Sequence, residues 1–427
     1  MPHAGADEVR FIPDGEAAWH TRVEMIRSAR KSIDVAVFIW RDDRTGMEMA
    51  GLLHEATRRG VRVRVIADGL ARSLPVQVTA ALAGVEFLHL HDYHPLLLHR
   101  PEWMNRRLHD KLIIADGRRM LIGGRNFTDR YYDRREDWNY IDLDLLLTGK
   151  ACTEAQAYFE ALWAGDDARD VNFGPLIRPL NNGRFIARTD RDFRDDRLAG
   201  VRRIEEALRT VNGGREPASS GGRPVSVSGK RMEFVHEEVP RTPRQSVCVT
   251  RIEELMRGAR HEVWISTPWL VTTRRTGELL ASCLERGVEL HIVTNSLNAC
   301  RDYLVFAAHA RTCTSLAAKG AFIHLLPGPD SMHSKTIIID RRIAIAGTLN
   351  FDPRSEFWNT ESLALIQDAA AARELHAVVT AQAGASYLLD PAKPDLIGTA
   401  RPSVGLRLKK AALPVLRLFS PLIRSLL

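Results

Sequence analysis

Two short stretches of the chain, LHDKLIIAD (108–116) and MHSKTIIID (332–340), carry the same residue types at the same spacing. Each places a His and a Lys two apart, then an apolar run, then an Asp: His109, Lys111 and Asp116 in the first, His333, Lys335 and Asp340 in the second. In both, an Asn follows the His by 17 residues, at Asn126 and Asn350. On a strand, residues two apart point to the same face. A neutral imidazole can attack phosphorus and form a phospho-histidine. A lysine beside it can neutralise the equatorial oxygens, and the amide of Asn126 or Asn350 can donate to the same oxygens. One set is incomplete, because displacement also needs a proton donor for the leaving alkoxide. Two histidines, one from each stretch, supply both parts. No metal or other cofactor is expected, since Lys111 and Lys335 carry the neutralising charge.

Two further carboxylates are candidates for holding an imidazole in one tautomer and orientation. Asp142, in WNYIDLD, follows His109 by 33 residues, and Glu361, in WNTESL, follows His333 by 28. Arg106 and Arg107, just before His109, are candidates for contact with an anionic headgroup.

The elements around these residues repeat as well. AAWHTRVEMIRSARK reads as a helix, SIDVAVFIW as a strand, TGMEMAGLLHEATRRG as a helix and VRVRVIADG as a strand. The second half offers VTRIEELMRGARH, EVWISTPWL, TGELLASCLERG and VELHIVTNS in the same order. Residues 56–70 align with 283–297, and 108–116 with 332–340, so the offset drifts only from 227 to 224. A repeat this long is a duplicated domain. The β-α-β-α order predicts an α/β fold with a largely parallel sheet in each half. DGRR after the first apolar run predicts a tight turn into the returning strand MLIGG.

The expected organisation is therefore a first α/β domain over 1–210 and a second over 246–390. Residues 211–245 form a linker, because TVNGGREPASSGGRPVSVSGK (210–230) is rich in Gly and Ser and reads as a flexible surface loop. A basic tail spans 391–427.

Composition sets outer limits. The 427 residues are 45% hydrophobic and 26% charged, as in ordinary globular proteins. The net charge of +7 favours anionic partners without choosing among them. Five scattered cysteines suggest neither a zinc site nor a disulfide framework, and predict a reducing, cytosol-facing location. The first residues lack the apolar core of a signal peptide, and no apolar run is long enough to predict a spanning helix. The tail, RPSVGLRLKKAALPVLRLFSPLIRSLL, has six basic residues and no acid, with Lys410, Arg417 and Arg424 on one helical face. Pro414 and Pro421 would kink such a helix. The segment 401–427 predicts a peripheral helix on an anionic membrane.

The paired H-x-K-x4-D motifs resemble those of the phospholipase D superfamily. The flanks AWHTRVEMIRSARKSIDVAVFIWRDDRTG, RRLHDKLIIADGRRMLIGGRNFTDRYYD, YIDLDLLLTG and GTLNFDPRSEFWNTES are similar to its bacterial cardiolipin synthase branch, over roughly residues 8 to 380. The resemblance implies two similar α/β/α sandwich domains with one active site at their interface. It implies that one His, His109 by analogy with many members, forms a phosphatidyl-histidine while the other acts as acid and then base. It also implies phospholipid substrates, namely phosphatidylglycerol with phosphatidylethanolamine as an alternative, and a peripheral place on the cytoplasmic face of the cell membrane. Nucleic acid is not an expected partner. The chain departs from some members in lacking predicted N-terminal membrane helices, in the PGPDSM loop before the second motif, and in the extra linker. Rival readings are a phospholipid hydrolase using the same site, a nuclease of the superfamily, and a silent lipid-binding scaffold. Two intact motifs speak against the last; the fused duplication and the tail speak against the nuclease.

Overall fold

The computed structural model describes residues 7–95, 101–171, 177–179, 185–187, 190–212, 222–227, 231–242, 245–394 and 396. The tail 401–427 lies outside these, so the membrane-helix expectation has no structural counterpart here.

Apolar residues with strand periodicity build two large sheets. The first has nine strands, in the order Val225–Val227, Asp7–Ile12, Asp144–Thr148, Arg119–Gly123, Lys111–Ala115, Ser32–Val37, Arg62–Asp68, Leu88–Tyr93 and Ala168–Asp170. The second has eight: Met232–His236, Ser362–Ile366, Ile343–Gly347, Thr336–Ile339, Glu262–Ser266, Glu289–Asn295, Phe322–Leu326 and Tyr387–Leu388. The two orders correspond strand for strand around each H-x-K motif, as the repeat predicted.

The expectation of largely parallel sheets fails. Within these two sheets, only the pairs joined by helical crossovers are parallel, such as Ser32–Val37 with Arg62–Asp68 and Glu262–Ser266 with Glu289–Asn295. The remaining pairs are antiparallel, among them each motif strand and its successor, which are joined by a three-residue connection rather than a helix. Asp116 and Gly117 have φ of 55° and 64°, and Asp340 and Arg341 have φ of 51° and 50°. Two successive left-handed residues define the turn whose twist suits a hairpin. The Arg118 and Arg342 amides close these turns onto the Ala115 and Ile339 carbonyls, at 3.0 and 2.9 Å.

Two stretches of the expected linker form strands. Val225–Val227 lies antiparallel to Asp7–Ile12 at the edge of the first sheet, and Met232–His236 lies antiparallel to Ser362–Ile366 at the edge of the second. Val227, Met232 and Phe234 are buried. Their alternation was masked by the surrounding Gly and Ser.

Among the described residues, three large apolar cores and one small cluster around Val271 hold the molecule. One belongs to the first half and includes Trp40, Leu53 and Val63. One belongs to the second half and includes Ile265, Leu280 and Phe306. The third is shared: Phe11, Leu145 and Phe159 of the first half pack in one cluster with Ile338, Ala364 and Leu375 of the second. The helices Lys150–Ala164 and Ala369–Gly384 line this middle layer. A shared apolar core between the halves makes them one body and fixes the distance between the motifs.

Candidate active site

The two motif strands start at the seam between the halves, and the segments that bear the carboxylates cross it. Leu108 bridges in parallel to Thr360, just before Glu361. Ser331–Met332 pairs in parallel with Tyr140–Ile141, just before Asp142. The His333 amide donates to the Ile141 carbonyl at 2.8 Å, and the His109 amide to the Thr360 hydroxyl at 3.2 Å. Each histidine is thereby delivered to the carboxylate of the opposite half. His109 Nδ1 lies 2.9 Å from Glu361 Oε1, and His333 Nδ1 lies 2.7 Å from Asp142 Oδ2. With Nδ1–H donated to the carboxylate, Nε2 keeps its lone pair and faces the site.

His109 and His333 are 7% and 8% exposed. Lys111 Nζ donates to the His109 carbonyl at 2.5 Å, and Lys335 Nζ donates to the His333 carbonyl. Burial and the facing lysines hold His109 well below its ordinary pKa. His333 is lowered by burial and by Lys335, against the pull of Asp142. Both shifts favour the neutral imidazole. Burial brings Lys111 down to about 8 against the pull of Glu361, and Lys335 down to about 7 against Asp142. An anionic phosphodiester reverses these shifts, because its charge favours the protonated lysines and an imidazolium.

The two carboxylates differ. Burial raises Glu361 to about 7 against Lys111 and against hydrogen bonds from the Ser355 hydroxyl (2.6 Å) and the Thr348 hydroxyl (2.5 Å). Burial also raises Asp142, but the His333 ring, Lys335 and Arg125 outweigh it and hold the carboxylate at about 2. Gly124 is needed here: a Cβ on it would lie 2.2 Å from Asp142 Oδ1.

Most expected residues converge: His109, Lys111, His333, Lys335, Glu361 and Asp142 surround one space. Asp116 and Asp340 do not. Each sits at the far end of its motif strand and accepts hydrogen bonds from three successive backbone amides, those of Arg30, Lys31 and Ser32 for Asp116 and of Arg260, His261 and Glu262 for Asp340. A five-residue strand runs about 17 Å, so these carboxylates cannot reach the imidazoles. They clamp the hairpin to the neighbouring strand. Arg107 is also corrected: it is buried and makes a two-pronged ion pair with Asp68, at 2.9 and 2.6 Å, which turns it away from any headgroup. The Asn126 amide is engaged too. Its Oδ1 accepts from the Ile39 amide and its Nδ2 donates to the Tyr131 hydroxyl, both at 2.9 Å. That occupied amide does not match the expected phosphate donor. Asn350 keeps a buried Oδ1 without a hydrogen-bond partner among the described residues.

The structure adds residues that the motifs did not reveal. The Tyr131 hydroxyl lies 3.3 Å from His333 Nε2. The Phe38 ring stands edge-on to His109 at 5.1 Å. Asp110, the residue inside the first H-x-K, bonds the Ser362 hydroxyl at 2.6 Å and the Tyr158 hydroxyl at 2.8 Å. Asp110 thus ties the first motif to the residue after Glu361. A lone Tyr or Ser gives no sequence signal for such a place; only the offset of Tyr131 from Asn126, matched by Ser355 from Asn350, hints at it.

A family model described as cardiolipin synthase, PLD-like domain, matches residues 23–163 and 252–381. Cardiolipin synthase C of Escherichia coli is 26% identical over 386 residues, which cover 81% of this chain and 78% of that one. An uncharacterized protein of Helicobacter pylori is 25% identical over 394 residues, covering 86% of this chain and 77% of its own length. Among solved structures, the phosphatidylserine synthase of Haemophilus influenzae superposes with a TM-score of 0.68 at 16% identity, over 98% of this chain and 95% of that one. That likeness shows the fold: two phospholipase D-like domains in one chain. By its duplicated motifs, its paired sheets and the two stretches matched, the chain belongs to the phospholipase D superfamily, in the cardiolipin synthase branch.

Proposed function

We propose that the protein is a phosphatidyltransferase that makes cardiolipin by moving a phosphatidyl group from one phospholipid to the hydroxyl of another. The observation that carries this reading is the reciprocal pair of His–carboxylate contacts, with a lysine beside each ring. In this reading one imidazole attacks the phosphorus, the other serves the leaving group, and the two lysines neutralise the oxygens. The family and the names of its relatives supply the lipid.

In the first step His109 Nε2 attacks the phosphorus of phosphatidylglycerol. The P–O bond to the headgroup breaks, a P–N bond forms, and His333 protonates the departing glycerol oxygen. In the second step His333 takes the proton of the incoming lipid hydroxyl, whose oxygen attacks phosphorus and displaces His109. Lys111 and Lys335 stabilise the charge on the equatorial oxygens in both steps. Two features support His109 as the nucleophile. Its Nε2 has no hydrogen-bond partner among the described residues, whereas His333 Nε2 faces the Tyr131 hydroxyl. A nucleophile needs a bare lone pair, and a proton carrier tolerates a hydroxyl neighbour.

Among the described residues no helix is long and apolar enough to cross a membrane. We place the protein at the membrane surface because its substrates reside there, and on the cytoplasmic face because all five cysteines are buried thiols. Purified protein incubated with labelled phosphatidylglycerol, with or without phosphatidylethanolamine, is expected to yield cardiolipin. His109→Ala and His333→Ala are each expected to stop it. Phosphatidic acid as the sole product would make the protein a hydrolase, and nicked plasmid with untouched lipid would make it a nuclease.

A further inference from the structure

The His333 ring lies on a chain of hydrogen bonds whose direction is fixed link by link. The Ile39 amide can only donate, so the Asn126 atom that it meets at 2.9 Å is Oδ1, and Nδ2 is left to donate to the Tyr131 hydroxyl at 2.9 Å. The Tyr131 oxygen therefore accepts from Asn126, and its own proton points elsewhere. The acceptor that the described residues offer it is His333 Nε2, at 3.3 Å. On the other side of the ring Asp142, held ionised at about 2, takes the Nδ1 proton at 2.7 Å, which leaves Nε2 with its lone pair. Lys335 Nζ lies 2.9 Å from Nδ1 and 3.3 Å from Nε2, so it stands over the ring and not in line with that lone pair.

Packing holds Tyr131 in this place. It is 1% exposed, its ring stacks on Tyr140 at 4.5 Å, and the two rings flank His333 at 5.0 and 4.9 Å. The Arg125 guanidinium donates to its carbonyl at 3.0 Å. Burial raises its phenol well above the ordinary value, so the proton stays on the oxygen. The duplicated frame does not demand the contact. In the same place of the second half, the Ser355 hydroxyl turns to Glu361 Oε1 at 2.6 Å, and Asn350 Oδ1 has no partner among the described residues.

The covered lone pair is the one that the second chemical step uses. A phospho-histidine can be resolved by a lipid hydroxyl or by water. In either case an oxygen joins phosphorus, the P–N bond to His109 breaks, and the proton of the attacking O–H passes to His333 Nε2. We infer that Tyr131 is a specificity-determining residue: its hydroxyl covers His333 Nε2 and keeps it from activating water, so that the intermediate waits for a lipid hydroxyl. At 3.3 Å the contact is longer than the roughly 2.8 Å of a strong bond from a hydroxyl, so it yields to a better placed oxygen. A lipid hydroxyl is carried to that lone pair by the binding of the rest of its molecule. A single water has no such binding energy to draw on.

This inference rests on the transferase reading, and the outcomes keep the two apart. The full chain is given phosphatidylglycerol vesicles, and the ratio of phosphatidic acid to cardiolipin is read for wild type and Tyr131→Phe. The ratio is expected to rise about tenfold in the variant, the worth of one hydrogen bond, whereas a purely structural role would lower both products together. An unchanged or lower ratio overturns the inference and leaves the transferase reading standing. Wild-type protein that makes phosphatidic acid alone sinks both. A second measurement needs no turnover. Diethyl pyrocarbonate acylates an imidazole nitrogen through its lone pair, and peptide mass spectrometry reads the rate at each histidine. Tyr131→Phe is expected to speed the reaction of His333 about tenfold and to leave His109, the internal reference, unchanged. Equal speeding of both histidines, or of neither, overturns the inference whatever the lipid products.

Discussion

His109 and His333 occupy equivalent places in the two halves, yet their partners behave in opposite ways. Glu361 is lifted to about 7, steadied by two hydroxyls, while Asp142 is held at about 2 beside Arg125 and Lys335. Five residues after Asn350 comes Ser355, which bonds Glu361; five after Asn126 comes Tyr131, which reaches the other histidine. The duplicated frame thus keeps positions and varies the proton affinities of what stands in them. A symmetric pair of dyads would give two equal nucleophiles. An asymmetric pair can divide the labour of attack and proton transfer.

The sharpest way to break this comparison is to remove each ring. His109→Ala and His333→Ala are both expected to lower turnover by about 10⁴-fold or more. They should differ in what accumulates. Intact-protein mass spectrometry should find a phosphatidyl adduct on His333→Ala given phosphatidylglycerol, and none on His109→Ala; the reverse pattern would exchange the two roles. Next in size are the lysines. Lys111→Met and Lys335→Met should each cost about 10²- to 10³-fold in kcat, as loss of one oxyanion contact does. An effect on KM alone would show that the cation binds the ground state only.

The carboxylates test the asymmetry directly through pH. Glu361, raised to about 7, takes up a proton as pH falls through 7 and then grips the His109 Nδ1–H less well. Asp142 at about 2 stays ionised throughout that range. Wild-type kcat/KM should therefore fall below pH 7, and Glu361→Gln should flatten that limb while losing about 10²-fold at the optimum. Asp142→Asn should lose activity but keep the limb. A limb unaltered in Glu361→Gln would assign it to another group. On the alkaline side, activity should decline as Lys335 (about 7) and Lys111 (about 8) give up their protons.

The smallest effect belongs to the two clamps. Asp116→Ala and Asp340→Ala should each cost about 1–2 kcal/mol of stability, toward the low end because these carboxylates are partly exposed. Both are held below their ordinary value, so the stabilisation is present above the unfolded pKa and disappears as pH falls through the lower folded one. Thermal melts at pH 7 and pH 3 would measure this. Activity per folded molecule should survive; its loss would return these residues to the chemistry.

Much of this was legible because duplication makes the chain its own control. Each His–Lys pair, the turn after it and the flanking helices stand out when 108–116 is set against 332–340. Glu361 and Asp142 were legible as carboxylates able to orient a histidine across or within the site, though which of the two holds was not; the structure gives each to the other half's histidine. That crossing depends on two short parallel pairings no periodicity announces. Asp116 misled because sequence spacing does not say which end of a strand meets the substrate. The edge strands Val225–Val227 and Met232–His236 hid because composition was weighed over a window longer than their alternation. Tyr131 and Asp110 became visible only once the halves were packed.

The crossing has a consequence for how the enzyme fails. Parting the halves would strip both imidazoles of their carboxylates in the same motion, since each dyad straddles the seam. A form that keeps one His–carboxylate pair while losing the other is therefore not expected. Loss of activity on heating or in denaturant should therefore coincide with loss of the shared core, in a single transition. The seam acts as a safety interlock: the reactive centre exists only while the molecule is whole.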